Sequence, residues 1–357
     1  MQRGCWDISF VLMNKPTPGQ LEFDFSSPDK TAAREFFNKL HFGGDKKRDI
    51  WVPSTEALAA HRELLERLKA LNIPMPYATG GVEGGSIRTN IERHKDNHYF
   101  YLTDITDAFP SVDDDQLSDR LFTLSKPKTG VVNDLWKLAD EYWPEQTTGL
   151  PQGAPTSPFL FNVYCLEMDQ QIADFVASLD QDAIYTRFVD DITVSLPARF
   201  GRNLNKPERR RIREIMISHG LAPSRHKTKL HSLDRGPVTI TGMSLYPETG
   251  ARRIQLKPEL LNMVEAAFRS YALLHGDNPQ EDERYWPQLS GYHGLLVSSF
   301  SNDGPSTQVE HELSDLFARI RERSHKMGRK ALGGEAFLVR GFDPSIDEET
   351  DFWPDTV

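Results

Sequence analysis

Two aspartates stand side by side at positions 190 and 191, in Arg-Phe-Val-Asp-Asp-Ile-Thr-Val, with β-forming residues on either side. A third, Asp104, closes the apolar run Tyr99-Phe-Tyr-Leu-Thr103. Carboxylates crowded between apolar strands repel one another and lose hydration, and both effects raise their pKa values. A divalent cation reverses that balance by neutralising them. Magnesium prefers oxygen ligands of this kind, and two ions about 3.5–4 Å apart clamp an in-line phosphoryl displacement. One ion would activate an attacking hydroxyl; the other would hold a triphosphate and its leaving pyrophosphate. Asp is also a good turn former. Taken alone, Asp190-Asp191 therefore reads first as a hairpin turn, and Asp104 and Asp107 as loop or cap residues.

The elements that must position these groups can be read from periodicity. Tyr99–Thr103 predicts a buried strand leading into Asp104. Ala183–Arg187 and Ile192–Leu196 predict two strands joined by a tight turn at the aspartate pair. Ser54 predicts the N-cap of a helix carrying Leu58, Leu64, Leu65, Leu68 and Leu71, ended by Pro74. Residues 113–145 read as mostly helical, with Leu117, Leu121, Leu135 and Leu138 as core positions. Phe159–Phe175 predicts a long apolar helix, and Glu208–His219 a basic amphipathic one that stops at Gly220. Val238–Tyr246 and Arg253–Leu256 predict a hairpin turning at Pro247–Gly250. Gly80-Gly81-Val-Glu-Gly84-Gly85 lacks the lysine and hydroxyl of a phosphate-binding loop and predicts a flexible loop. From Pro258 onward helices dominate. This order points to an α+β core followed by a helical domain.

The bulk numbers are compatible with a nucleic-acid enzyme only through their distribution. The net charge is −10 over 357 residues. Acid gathers at Asp277–Glu283 and in the tail Asp343–Asp355. Base gathers at Lys46–Arg48, Arg202–Arg213, Arg225–Lys229, Arg252–Arg253 and Arg319–Lys330. Local basic clusters of this kind line phosphate grooves, and they also occur as plain solvated helix faces. No apolar run approaches a membrane span, so no membrane partner is expected. Cys5 and Cys165 fit no metal spacing and predict a reducing, cytoplasmic setting. The patch Ile8–Met13 lacks the basic leader and cleavage site of a signal peptide.

Taken in order, several segments resemble the motifs of reverse transcriptases. Leu-Thr-Asp104-Ile-Thr-Asp-Ala-Phe109 resembles motif A. Leu150-Pro-Gln-Gly-Ala-Pro-Thr-Ser157-Pro-Phe-Leu-Phe-Asn162 resembles motif B and is the most specific piece. Tyr185-Thr-Arg-Phe-Val-Asp-Asp191 resembles motif C, and His226-Lys227-Thr-Lys229 motif D. Ile240-Thr-Gly-Met243 resembles the hairpin segment that follows, and Gly85-Ser-Ile-Arg88-Thr-Asn90-Ile-Glu-Arg-His94 a fingers segment. The resemblance spans roughly residues 80–260 and is nearest to bacterial retron-type enzymes and related defence-associated reverse transcriptases. It departs from their usual wording at Ile91, Phe188, Val189 and Ile240.

That resemblance implies a right-hand polymerase fold: an N-terminal extension at 1–54, fingers and palm at 55–250, a thumb at 251–340 and an acidic tail at 341–357. It implies an RNA-directed DNA polymerase with two Mg2+ ions, or Mn2+ in their place, on Asp104, Asp190, Asp191 and the backbone carbonyl of Ile105. Phe109 would pack beneath the incoming sugar and exclude a 2′-hydroxyl. Gln152 and Gly153 would meet the nucleotide or template, Arg88 the triphosphate, and Lys227 would protonate the departing pyrophosphate. Asn162 would brace the palm. Trp286 and Tyr292 read as a thumb surface against the primer–template or, in preference, as thumb core. The implied partners are dNTPs, a structured noncoding RNA as template and primer, the DNA product, and an effector protein or second polymerase subunit, in antiphage defence. Two other readings stand beside this one: template-independent or protein-primed synthesis by the same carboxylates, and an RNA-binding scaffold without catalysis.

Overall fold

The computed structural model describes residues 37–331 apart from 43–47, 126–129, 145–147, 225, 249–251, 275–278 and 302–303. The stretch 1–36 and the acidic tail 341–357 lie outside the described residues.

The main sheet is built on β3 (Tyr99–Thr106). One edge of β3 pairs antiparallel with β5 (Asp191–Leu196), which in turn pairs with β4 (Ile184–Phe188). The other edge is shared by β7 (Lys229–Ser232) and β6 (Ala222–Pro223). The three strands predicted for this sheet are present, and β4 and β5 meet at a two-residue turn, Val189-Asp190.

Helices cover this sheet. α5 (Ser157–Leu179) starts with Pro158 in its first turn, where the missing N–H costs nothing. It buries Phe159, Leu160, Phe161, Val163, Met168, Ile172 and Val176, which explains a sequence apolar nearly all round. α6 (Lys206–Ser218) is opened by an Asn205–Glu208 capping box and buries only Ile212, Ile215 and Met216, leaving its arginines outward. α1 (Thr55–Lys69) begins at Ser54, whose side chain accepts the Ala57 N–H as predicted. α3 (Asp114–Leu124) and α4 (Gly130–Tyr142) bury Leu117, Leu121, Leu135 and Leu138.

The predicted long strand Val238–Tyr246 is instead folded back on itself. β8 (Val238–Ile240) pairs with β9 (Met243–Leu245) across Thr241 and Gly242, and β9 pairs with β10 (Ile254–Leu256). Thr241 and Gly242 both take positive φ, 50° and 86°. Two successive left-handed residues make the tight turn whose twist suits a hairpin. Thr at such a φ is unfavourable, and the sequence carries no Asn-Gly to announce the turn. What holds it is remote: Asn90 Nδ2 donates to Thr241 Oγ1 at 2.6 Å.

Beyond the sheets, α7 (Pro258–Leu274), α8 (Pro279–Ser298) and α9 (Gln308–Ala331) form the helical unit. Its core gathers on Phe317, which meets Phe268, Trp286 and His293 at ring distances of 5.3, 5.7 and 3.8 Å. Tyr292 is buried, so both aromatics read as thumb core lie in it. Glu310, wholly buried, caps α9 by accepting the N–H groups of Ser306 and Thr307.

Candidate active site

The register of the sheet sets Asp104 directly opposite Asp191. Cross-strand partners share a face with Cβ atoms about 5 Å apart, and like charges so placed repel. The Ile105 N–H donates to the Asp190 carbonyl at 2.8 Å. A strand residue presents its N–H and C=O to the same side, so the Ile105 carbonyl lies on the carboxylate edge. Three aspartates and one carbonyl are thus gathered at the end of β3, from segments almost 90 residues apart.

The turn that carries Asp190 is strained. Val189 sits at φ 55°. A β-branched residue there costs about 1–3 kcal/mol and persists only when its surroundings impose it. Part of Asp190 remains exposed, yet burial of its carboxyl pushes its pKa up to about 7, with Asp191 and then Asp104 adding repulsion. Asp104 is 3% exposed, and its buried Oδ1 has no hydrogen-bond partner. Its Oδ2 is engaged by the Lys227 ammonium.

Lys227 is brought there by the loop between β6 and β7. Ser224 N–H donates to the Asp104 carbonyl at 2.7 Å, and the Thr228 and Thr103 hydroxyls pair at 2.8 Å. Among the described residues no cluster of three or more His, Cys, Asp or Glu forms a ready-made cation site. Lys227 supplies part of the compensating charge. The donor set still suits a hard divalent cation: oxygen donors alone, carboxylates and one carbonyl, with the Asp104 Oδ1 buried and unpartnered, in a group whose repulsion a cation relieves.

Phe109 and the motif B loop are stacked on one another. Leu150 N–H donates to the Phe109 carbonyl at 3.0 Å. Gly149, at φ 61°, passes so close that a Cβ there would lie 2.5 Å from the same oxygen. Phe109 is 4% exposed, with its ring edge-on to Phe161 at 5.4 Å. Gln152 is half-buried, and Gly153 is exposed at φ 108°. Gln152 gives its carbonyl to the Trp51 N–H at 2.8 Å. Trp51 belongs to β2 (Arg48–Pro53), which pairs with β1 (Phe37–Phe42). The indole packs with Ala57 and Ala154. His61 adds a second tie, to the Thr156 hydroxyl at 2.9 Å. Part of the stretch set apart as an N-terminal extension thus supports the motif B loop. Nothing in its sequence announces this, because the contact is made by backbone.

Arg88 is engaged by protein groups. It lies on α2 (Ile87–Arg93), where Nε pairs with Glu92 at 2.6 Å and Nη1 donates to the Ile254 carbonyl at 3.2 Å. Its side chain is 13% exposed. It ties α2 to β10. The same helix carries a polar hub. Asn90 Oδ1 accepts the Thr79 and Thr186 hydroxyls at 3.0 and 2.7 Å. His94 meets Ser195 and Thr186, each at 2.7 Å. Because Thr186 spends its proton on Asn90, it must accept from His94 Nε2, which therefore carries a proton; burial, which pushes His94 down to about 3, keeps the ring neutral.

Residues 43–252 match the family described as reverse transcriptase (RNA-dependent DNA polymerase). The retron Ec86 reverse transcriptase of Escherichia coli is 28% identical over 213 residues, covering 58% of this chain and 61% of the relative. The retron Mx65 and Mx162 reverse transcriptases of Myxococcus xanthus are 27% and 32% identical, over 62% and 42% of this chain and 53% and 33% of theirs. The chain therefore spans between about a third and three fifths of the length of these relatives. Its mixed sheet-and-helix body followed by a helical unit is the right-hand polymerase fold, with fingers and palm followed by a thumb. With that match extending over more than half its length, the chain belongs to the reverse transcriptase family.

Proposed function

We propose that this chain is an RNA-directed DNA polymerase whose Asp104, Asp190 and Asp191, with the Ile105 carbonyl, hold two magnesium ions, for which manganese substitutes. The observation that carries the reading is the cross-strand pairing of Asp104 with Asp191 beside the strained Asp190 turn. Such ions, when bound, promote loss of the proton from an attacking hydroxyl and neutralise charge on the transferred phosphoryl group.

The chain's own residues do the rest. The carboxylates aim their oxygens from a rigid sheet end rather than from a mobile loop. Phe109 closes the floor below the sugar and leaves no room for a 2′-hydroxyl. The backbone at Gly153 lets a nucleotide or template approach closely, and the Gln152 amide offers it a donor and an acceptor. Lys227, released from Asp104, delivers a proton to the departing pyrophosphate. Helices α7–α9 form the thumb over the primer and template. The relatives' names, retron reverse transcriptases, support DNA synthesis on an RNA template; a dedicated structured noncoding RNA as template and primer, dNTPs as substrates and a cellular role in antiphage defence complete the proposal.

The test is extension of a primed RNA of known sequence with four dNTPs. Complementary DNA is the expected product. DNA unrelated in sequence to the RNA would overturn templating while leaving the carboxylate chemistry standing. Two substitutions probe the roles above. Phe109→Ala should raise ribonucleotide incorporation at least about tenfold, while costing roughly 3 kcal/mol of core packing. Unchanged sugar discrimination in the folded variant would reject Phe109 as the barrier. Lys227→Ala should slow addition about ten- to hundredfold with fidelity kept; loss of RNA binding at matched salt would make it a backbone anchor instead.

A further inference from the structure

Arg187 plays no part in the chemistry above, yet it is among the largest wholly buried side chains of the described residues. Its guanidinium is met on every side. Nε donates to Asp169 Oδ1 at 2.9 Å and Oδ2 at 3.2 Å, and Nη2 to Oδ2 at 2.7 Å. Nη1 donates to Asn162 Oδ1 at 2.9 Å and to the Val189 carbonyl at 2.8 Å. That last bond falls on the peptide joining Val189 to Asp190.

The backbone of Arg187 reaches a further segment. Its N–H donates to the Tyr77 carbonyl at 2.8 Å, and its carbonyl accepts the Thr79 N–H at 2.8 Å. Asn162 Nδ2 donates to the Gly80 carbonyl at 2.9 Å. Gly80 then lies so close beneath the turn that a Cβ would sit 3.0 Å from both the Phe188 and Val189 side chains. The glycine-rich stretch expected to be a flexible loop is held at its start against the Asp190 turn. Arg187 joins this stretch, α5 and the turn.

A buried ion pair is a poor choice for stability alone, since apolar groups of like volume often serve as well or better. What an apolar replacement would lack is the bond to the Val189 carbonyl. We propose that Arg187 is a positioning residue for the reaction, holding the Val189–Asp190 peptide in its left-handed turn so that the Asp190 carboxylate faces Asp104 and Asp191. Asp169, which also accepts the Tyr185 hydroxyl at 2.6 Å, and Asn162 aim the guanidinium. This inference rests on the polymerase reading.

The experiment compares wild type, Arg187→Lys, Val189→Gly and the double variant on a primed RNA, measuring kcat, the KM for dNTP and Tm. Lysine keeps the charge but is a point donor without the planar fork. Arg187→Lys should lower kcat at least about thirtyfold with KM within about threefold. Glycine takes positive φ without a steric cost. The double variant should therefore run at least about fivefold faster than Arg187→Lys alone. A core defect would not be rescued by Val189→Gly, which removes packing. If Arg187→Lys does not fold, Asp169→Asn and its combination with Val189→Gly are read the same way. A lysine variant with lowered Tm but kcat within threefold, or a double variant no faster than the single, overturns the clamp. Wild-type protein that makes no DNA overturns the polymerase reading instead.

Discussion

Asp190→Asn should abolish nucleotide addition, by at least about a thousandfold, while leaving the chain folded and RNA binding intact. The amide keeps the shape of the side chain but removes the negative charge from the centre of the carboxylate group. Nothing in the strained turn needs that charge: the Val189 carbonyl is held by Arg187 and the Asp190 carbonyl by Ile105. The substitution also removes repulsion from Asp104 and Asp191. At pH 8 and without divalent cations, the variant should melt higher than wild type. Full activity in the variant would dismiss the assignment of Asp190; a lower melting temperature would dismiss the account of its crowding. Added magnesium should raise the melting temperature of wild type more than that of the variant, because a cation relieves charge only where charge is present.

Mild acid should unfold the protein. Burial pushes His61 down to about 4, His94 to about 3 and His293 to about 4, against the ordinary 6.5. Between pH 6.5 and 4 the unfolded chain takes up protons that these sites refuse, so stability falls as pH falls. Each such group contributes about 1.4 kcal/mol per pH unit, roughly 6 kcal/mol for the three at pH 5. That is comparable with the whole stability of an ordinary domain. Asp190 works in the opposite sense. Its raised pKa makes the folded state the better proton binder, so its contribution weakens as pH rises from about 4 to about 7. Wild type thus has a partial offset in the same window, and Asp190→Asn lacks it. Melting temperatures recorded from pH 8 to pH 4.5 should fall in both proteins and more steeply in the variant. A flat profile in wild type would refute the buried neutral histidines, His94 above all.

Much of this protein was legible in its residue order. Strands β3, β4 and β5 and helices α3, α5 and α6 follow from runs and periodicities a few residues long, and Ser54 and Gly220 mark ends by local hydrogen bonding or φ; the Asn205 cap of α6, two residues before the predicted start, emerged only in the structure. The three aspartates stood out because carboxylates between apolar strands need a reason. The motif order around them named the family before any contact was known.

The tertiary structure decided how those pieces meet. The register opposing Asp104 to Asp191, the Asn90 anchor beneath the Thr241 turn, the Trp51 bond to the Gln152 carbonyl, the pairing of Arg88 with Glu92 and Ile254, and the enclosure of Arg187 are all contacts that pattern alone does not specify. Short-range patterns record propensity and periodicity, which each residue carries with it. A hydrogen bond between groups 80 or 150 positions apart exists only once the chain has packed, and for backbone partners such as the carbonyls of Gln152, Val189 and Ile254 no side-chain identity announces it.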